Sequence, residues 1–453
     1  MNRRNFIEKS TFAVAAMGMP AIVPSSVFGK NAPSNRITVG MIGTGRQGFG
    51  QNMQGSGDGK KEMRIPGLFD LDEAQVVAVC DVDSWRMGQA KTAVDAHYAK
   101  KSPTGSYKGC AAYTDFREII ARKDIDAVMI STPDFWHVPM GIMAAKAGKH
   151  ISCEKPLSMS VHQGRQLVDA LEKYPVVNRT DSEFRSVRQQ NQAVEMVRNG
   201  RIGKLQKIEI MFPADPDPVP PQADMPVPKE LNYDLWLGPM PHVPYTDMRV
   251  HTPFDMKKRP NWMRVDNYAQ GMIANWGAHY FDLAQWANNS EYSGPAEVEG
   301  KGEFPKSLWN SMINFEVTYH YANGVEMTCL QSPVSKPSIR YIGSEGWIFI
   351  ENYPGTVSAS DPKILLSKPG AGELDLSQTL WDKIDFIEAI KTKRKTLEPI
   401  EIGHRTISIA QIGLIACQVG GKLKWNPDKE LFEGNNAANA LLAVPIARKE
   451  WAM

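Results

Sequence analysis

The hexapeptide Gly43-Thr44-Gly45-Arg46-Gln47-Gly48 follows the β-branched run Arg36 to Ile42 (RITVGMI) and opens a helix-like stretch. Glycines at its first, third and sixth positions permit a tight turn, close approach of backbone to a pyrophosphate, and close helix–strand contact. The N–H groups at the helix start attract the anion. A second apolar run, Ala74 to Cys80 (AQVVAVC), ends at Asp81. A carboxylate there accepts from an adenosine ribose and repels a 2′-phosphate, which favours NAD, while Arg86 nearby keeps NADP possible. Asp81 lies farther from Gly48 than the usual ~20 residues because residues 56–73 read as an insertion.

Two other groups carry proton chemistry. Lys155, in Glu154-Lys155-Pro156, follows the short apolar strand His150 to Cys153, which places its ammonium at a strand end instead of on a solvated face. Asn275, His279 and Asp282 fall at i, i+4 and i+7, a polar stripe on the otherwise apolar helix expected around 271–288. His279 is the acid/base candidate. Asn275 is an amide and takes no proton at physiological pH. No third ligand at a suitable spacing joins His279 and Asp282, so a metal centre is not expected.

The elements that must position these residues alternate. After the two strands come a helix near Trp85–Lys100, a helix Asp115–Arg122, the buried strand Asp126–Ser131, a helix Val138–Ala147 and the strand at 150–153. Alternation of this kind predicts a doubly wound parallel sheet. Helices near 161–173 and 189–198 and a strand at 204–212 follow. The prolines from Pro213 to Pro228 then exclude regular structure and predict a surface arm. Runs at 313–321, 326–331, 339–342 and 347–351, separated by Asn323-Gly324 and Gly343-Ser344, read as antiparallel strands, and helices near 383–391 and 405–419 close the chain. The fold class is therefore α/β, with a second domain built on a largely antiparallel sheet.

The chain has 453 residues, with 52 Lys+Arg against 50 Asp+Glu and 42% hydrophobic residues. That balance excludes a nucleic-acid binder, which needs surplus cations to neutralise phosphates. The five cysteines (Cys80, Cys110, Cys153, Cys329, Cys417) are odd in number and widely spaced, which argues against a disulfide framework. Residues 1–30 read as an export signal: Arg3-Arg4 and Phe6, then an uncharged stretch from Ser10 to Gly29. Gly18, Pro20 and Pro24 interrupt that stretch, so a permanent membrane span is not expected. The arginine pair resembles a twin-arginine signal, which implies export of a folded protein to the periplasm.

Glu154-Lys155-Pro156, the preceding Ser131-Thr132-Pro133-Asp134-Phe135-Trp136-His137, Leu235-Trp236-Leu237-Gly238-Pro239, and Trp276-Gly277-Ala278-His279 with Asp282 together resemble the Gfo/Idh/MocA oxidoreductases, in particular their secreted members. The resemblance covers the whole mature chain. It implies a Rossmann domain at 35–156, a substrate and oligomerisation domain at 157–453, and a tightly held nicotinamide cofactor. Polyol, sugar or sugar-like substrates are expected in the cleft, and a homo-oligomer through the C-terminal sheet. The cofactor set is then Gly43, Thr44, Gly45, Arg46, Gln47, Gly48, Asp81, Arg86, Ser131, Thr132, Pro133, Trp136, His137, Glu154 and Lys155. Catalysis is expected from Lys155 and His279, and substrate binding from Arg185, Asn275 and Asp282. Members often carry Asp where this chain has Asn275, which shifts the acid/base work to His279 and Lys155. Three activities fit: hydride transfer between a carbohydrate hydroxyl and NAD(P), redox-neutral glycoside hydrolysis or elimination with bound NAD, and noncatalytic carbohydrate binding.

Overall fold

A computed structural model describes residues 36–56, 64–332, 336–352, 355–444, 448 and 451. The expected signal at residues 1–30 lies outside them. Strands β1 (Ile37–Ile42), β2 (Ala74–Cys80), β3 (Ala111–Tyr113), β4 (Ala127–Ile130), β5 (His150–Glu154) and β6 (Asn178–Asp181) form one sheet in the order β3-β2-β1-β4-β5-β6. Every pairing in it is parallel. Helices cover both faces, so β4 is buried at all four positions and reads as an unbroken apolar run. The order reverses between β1 and β4, which opens a crevice at the carboxyl ends of the strands, where the glycine loop and Ser131 lie.

The helices between strands start where polar side chains replace missing backbone partners. Asp83 accepts from the amides of Trp85 and Arg86 to begin Ser84–Lys101, Asp115 caps Phe116–Ala121, and Ser160 caps Val161–Lys173. The helix expected from Val138 begins earlier, at Asp134, with Pro139 inside it. Pro139, its sixth residue, has no N–H to donate to the Phe135 carbonyl one turn back.

Nine strands form the second sheet: β7 (Leu205–Pro213), β8 (Glu297–Glu303), β9 (Ile313–His320), β10 (Glu326–Ser332), β11 (Ser338–Gly343), β12 (Trp347–Glu351), β13 (Thr356–Ala359), β14 (Leu423–Asn426) and β15 (Leu431–Phe432). Their order is β13-β12-β11-β7-β10-β9-β8-β14-β15. One pair, β7 with β10, is parallel and the others are antiparallel. The helices Gly277–Ala287 and Ile400–Val419 are apolar nearly all round and lie buried behind this sheet. No helix among the described residues is long and apolar enough to cross a membrane.

Two features differ from the sequence expectation. The first sheet does not end at residue 156: β6 pairs with β5 through Glu154 and Asp181. Its sequence, Asn-Arg-Thr-Asp, is polar because a later helix supplies ionic partners. In Asp382–Thr392, Lys383 reaches Asp181 at 3.2 Å and Asp382 at 2.6 Å. Phe386, Ile387 and Ile390 of that helix pack with Val39, Met41, Val76 and Val79, each burial contributing about 1.5–3 kcal/mol. The helix expected at 271–288 is two, Gly271–Asn275 and Gly277–Ala287, meeting at Trp276.

Candidate functional site

The glycine loop is shaped by contacts that admit no side chain. Gly43 has φ +87°, and a Cβ there would sit 2.4 Å from the Ser131 carbonyl oxygen. A Cβ on Gly48 would sit 2.1 Å from the Gly43 carbonyl oxygen. These two glycines let the loop close on β1 and β4. Gly45 instead faces the cleft, where the only atom near an added Cβ would be Arg86 Nη1 at 3.0 Å. The turn that follows, Arg46–Gln54, is wound as a π-helix. Its open N-terminal amides form an anion cradle.

Asp81 closes this cradle. Its Oδ2 accepts from Thr44 N at 2.7 Å and Thr44 Oγ1 at 3.0 Å, and its Oδ1 accepts from Asp83 N at 2.9 Å. With two donors on Oδ2 and one on Oδ1, Oδ1 keeps an acceptor site for a ribose hydroxyl. Arg86 is tethered beside it, donating to the Asp255 carbonyl at 2.9 Å, with Nε 3.7 Å from Asp83. Loop, carboxylate and crevice together fit a dinucleotide.

Farther along the crevice, Asn52 Nδ2 donates to Glu154 Oε1 at 2.8 Å and to Ser131 Oγ at 2.9 Å. Burial pushes the Glu154 carboxyl up to about 8, with the Asp181 charge adding to it. Lys155, next in the chain, crosses the cleft: its Nζ donates to Asn275 Oδ1 at 3.0 Å and to the Asn275 carbonyl at 3.3 Å. Burial lowers the lysine's pKa, against the opposing pull of Glu154, Glu183 and Asp134. Behind it, the His137 ring lies between the carbonyls of Pro156 (2.7 Å) and Thr132 (2.9 Å). Burial pushes this imidazole down to about 4. It is therefore neutral, donates to one carbonyl at a time, and braces the 131–137 motif against the Lys155 turn.

His279 enters from the second half. Its Nδ1 lies 3.0 Å from Ser182 Oγ, its ring stacks on Phe184 at 4.1 Å, and Nε2 makes no hydrogen bond among the described residues. Burial, and next the Lys155 charge, hold its pKa well below the ordinary histidine value. The imidazole is neutral and able to accept a proton.

Gly43, Gly45, Arg46, Gln47, Asp81, Arg86, Ser131, Thr132, Pro133, Trp136, Glu154, Lys155, Asn275 and His279 all line one cleft of about 490 Å³. Thr44, Gly48 and His137 stand behind it as supports. Arg185 and Asp282, expected to bind substrate, do not reach it. Arg185 Nε and Nη2 bond both Asp282 oxygens at 2.8 and 2.6 Å, Nη1 reaches Glu291 at 2.6 Å, and the guanidinium lies over the Trp286 ring. The i+7 position that shares a stripe with His279 on an ideal helix is thus turned to a buried cation, and Ser182 takes the orienting role on the histidine. The sequence reading also missed Asp134, Glu183, Arg259 and Trp262, which line the cleft. Asp134 lies inside the 131–137 motif. Arg259 precedes, and Trp262 lies in, the short 3-10 turn Asn261–Arg264, which is too brief to leave a periodicity in the sequence. Among the described residues no group of three or more His, Cys, Asp or Glu is placed to hold a metal ion.

A Rossmann sheet with a glycine cradle at its reversal point, closed by a second domain on a nine-stranded sheet, defines a two-domain nicotinamide-dependent oxidoreductase fold. Residues 37–181 match the family description "Oxidoreductase family, NAD-binding Rossmann fold", and residues 221–453 match "Oxidoreductase family, C-terminal alpha/beta domain". The chain belongs to the Gfo/Idh/MocA oxidoreductase family, and its N-terminal domain is an NAD-binding one.

Among similar curated proteins, "Glycosyl hydrolase family 109 protein 2" of Shewanella sp. (strain ANA-3) is 31% identical over 221 residues, 45% of this chain and 44% of that protein. An "Alpha-N-acetylgalactosaminidase" of Shewanella oneidensis is 31% identical over 185 residues, 40% of this chain and 36% of the other. The matched regions span less than half of these relatives. The crystal structure of aldose-aldose oxidoreductase from Caulobacter crescentus complexed with glycerol shares the fold at TM-score 0.59 and 16% identity, covering 86% of this chain and 99% of that one. The WlbA dehydrogenase from Bordetella pertussis, in complex with NADH and UDP-GlcNAcA, superposes at TM-score 0.60 and 14% identity over 86% and 98%.

Proposed function

We propose that the protein transfers hydride between a carbohydrate or polyol carbinol and a retained NAD. The observation that carries this reading is that Lys155, from the Rossmann domain, and the unprotonated His279, from the second domain, line the same cleft as the glycine cradle. NAD, when bound, would supply the hydride acceptor and donor. With Nδ1–H donated to Ser182 Oγ, His279 Nε2 presents its lone pair to the substrate hydroxyl and takes its proton. Lys155, steered by Asn275, stabilises the alkoxide character that develops as the proton leaves. Glu154 and the Ser131–Trp136 loop wall off the reacting end. Residues 43–48, Asp81 and Arg86 would hold the nucleotide.

A second reading is favoured by the names of the curated relatives and by Asn275. Transient oxidation by bound NAD would acidify the neighbouring C–H, the proton and the leaving group would be lost to give an enone, water would add to it, and return of the hydride would complete glycoside cleavage with no net redox change. One experiment separates the two. The purified protein is denatured, any released nucleotide is identified, and glycosides are screened for ketone formation against release of reducing sugar. Net ketone supports the first reading, and sugar release with NAD unchanged supports the second. A protein that carries no nucleotide and binds none of added NAD would defeat both. Export is inferred from the Arg3-Arg4 leader alone.

A further inference from the structure

Most of the buried arginines among the described residues are neutralised by carboxylates. Arg185 is held by Asp282 and Glu291, Arg179 lies between Asp181 and Asp382, and Arg86 has Asp83 and a carbonyl. Arg264 has Asp215 at 3.4 Å and the Trp309 ring. Arg259 lines the cleft, half-buried, with no carboxylate at ion-pair distance among the described residues, and its one contact of hydrogen-bond type is a thioether, Met272 Sδ at 3.7 Å. Asp215 is the acid whose charge Arg259 feels most, but it stands beyond ion-pair distance of Arg259 and divides its charge between that residue and Arg264, 3.4 Å away. A guanidinium carries five donors and a charge that burial makes costly unless an anion meets it.

The acids that share the cleft do not fill this role. Asp134 senses the Arg259 charge from beyond ion-pair distance, and Glu154 is held by Asn52 at 2.8 Å. Glu183 faces Lys155 instead. Met272 belongs to the helix that ends at Asn275, the residue that grips Lys155 across the cleft, which puts Arg259 on the substrate side. Arg46, in the glycine loop, is the cation next to the dinucleotide cradle.

We infer that Arg259 is an anion-recognition residue and that the substrate is an acidic carbohydrate, its charge carried on a carboxylate or a sulfate ester. A planar guanidinium pairs with either oxyanion through two parallel N–H donors, which fixes the ring as well as binding it. This inference rests on the carbohydrate reading of the cleft.

The test uses the full-length protein as purified, with methyl hexuronides of gluco, galacto and manno configuration, the corresponding 6-sulfated methyl hexosides, and their neutral methyl hexosides. Binding is measured by calorimetry, and bound nucleotide by mass spectrometry after acid precipitation. The wild type is expected to prefer an anionic member over its neutral parent by at least about tenfold, a coupling worth about 1.4 kcal/mol at that ratio. Arg259→Met should bring the ratio close to one with nucleotide content unchanged, and Arg259→Lys should keep part of the preference. Whether uronates or sulfates bind tells the two anion sources apart. Equal or better binding of neutral sugars by the wild type overturns the inference, and so does loss of nucleotide from a folded Arg259→Met protein, which would assign Arg259 to the cofactor. Failure of ketone formation and of glycoside cleavage with the anionic preference intact would instead defeat the catalytic reading alone.

Discussion

Lys155 Nζ, on the Rossmann side, donates to Asn275 Oδ1 at 3.0 Å on the other wall of the cleft. The bond ties the ammonium to a neutral acceptor, and burial lowers the lysine's pKa against the pull of Glu154, Glu183 and Asp134. Asn275→Asp exchanges that acceptor for a carboxylate and favours the charged lysine. The basic limb of the pH–rate profile is expected to move to higher pH in this variant. An unmoved limb would show that Lys155 does not titrate in the rate.

His279→Ala is expected to cut turnover by about 10²–10⁴-fold while leaving bound NAD in place. Because the neutral imidazole is the active form and its pKa is held well below the ordinary value, wild-type activity should persist below pH ~6.5, the usual histidine midpoint, and fall only as the pH drops further. Ser182→Ala removes the partner of Nδ1, and kcat should fall with KM nearly unchanged. Full activity in His279→Ala removes this residue from the chemistry.

Asp81→Ala is expected to narrow the preference for NAD over NADP, since it deletes a ribose acceptor and a repulsive charge. Loss of that bond should cost about 1–3 kcal/mol in NAD affinity. The same change frees Thr44 N and Oγ1, so both nucleotides should bind more weakly. Titration with each nucleotide checks this, and an unchanged ratio would separate Asp81 from the ribose.

Asp282→Ala should act on stability. It leaves Arg185 buried without its two-pronged partner, a loss of about 3–5 kcal/mol that urea unfolding would read. Nucleotide content and substrate affinity of the folded fraction are expected to stay at wild-type values. Weakened substrate affinity with normal stability would return Asp282 to the cleft.

Export is tested in the cell. Replacing Arg3 and Arg4 with Lys should keep the precursor in the cytoplasm, because a twin-arginine signal needs the guanidinium pair whereas general secretion needs only positive charge. Normal export of the double-lysine form, read by fractionation, would assign the leader to the general route.

The cofactor half of the site is legible in the sequence because its requirements are local. A glycine is demanded at 43 by a positive φ and a carbonyl 2.4 Å from any Cβ, and at 48 by a carbonyl at 2.1 Å. Asp81 and Lys155 stand at or just after strand ends, and a strand end in a parallel sheet points at the crevice. The polar strand β6 is harder to see, since Arg179 and Asp181 are buried only because Asp382 and Lys383, two hundred residues later, come back to meet them.

The rest was decided by what stands opposite each helix. Spacing places His279 and Asp282 near one another on a helix surface but is silent about the facing chain, which brings Ser182 and Phe184 to the histidine and Arg185 to the aspartate. One residue of the pair therefore lines the cleft and the other holds the core together. Arg259, in a segment without periodicity, gains its meaning only from the carboxylate that the folded cleft does not supply. Local sequence determined which backbone could cradle a dinucleotide. The tertiary structure decided which charged side chains were left in the cleft without an ion pair, because neutralisation of a charge depends on neighbours brought together from far along the chain.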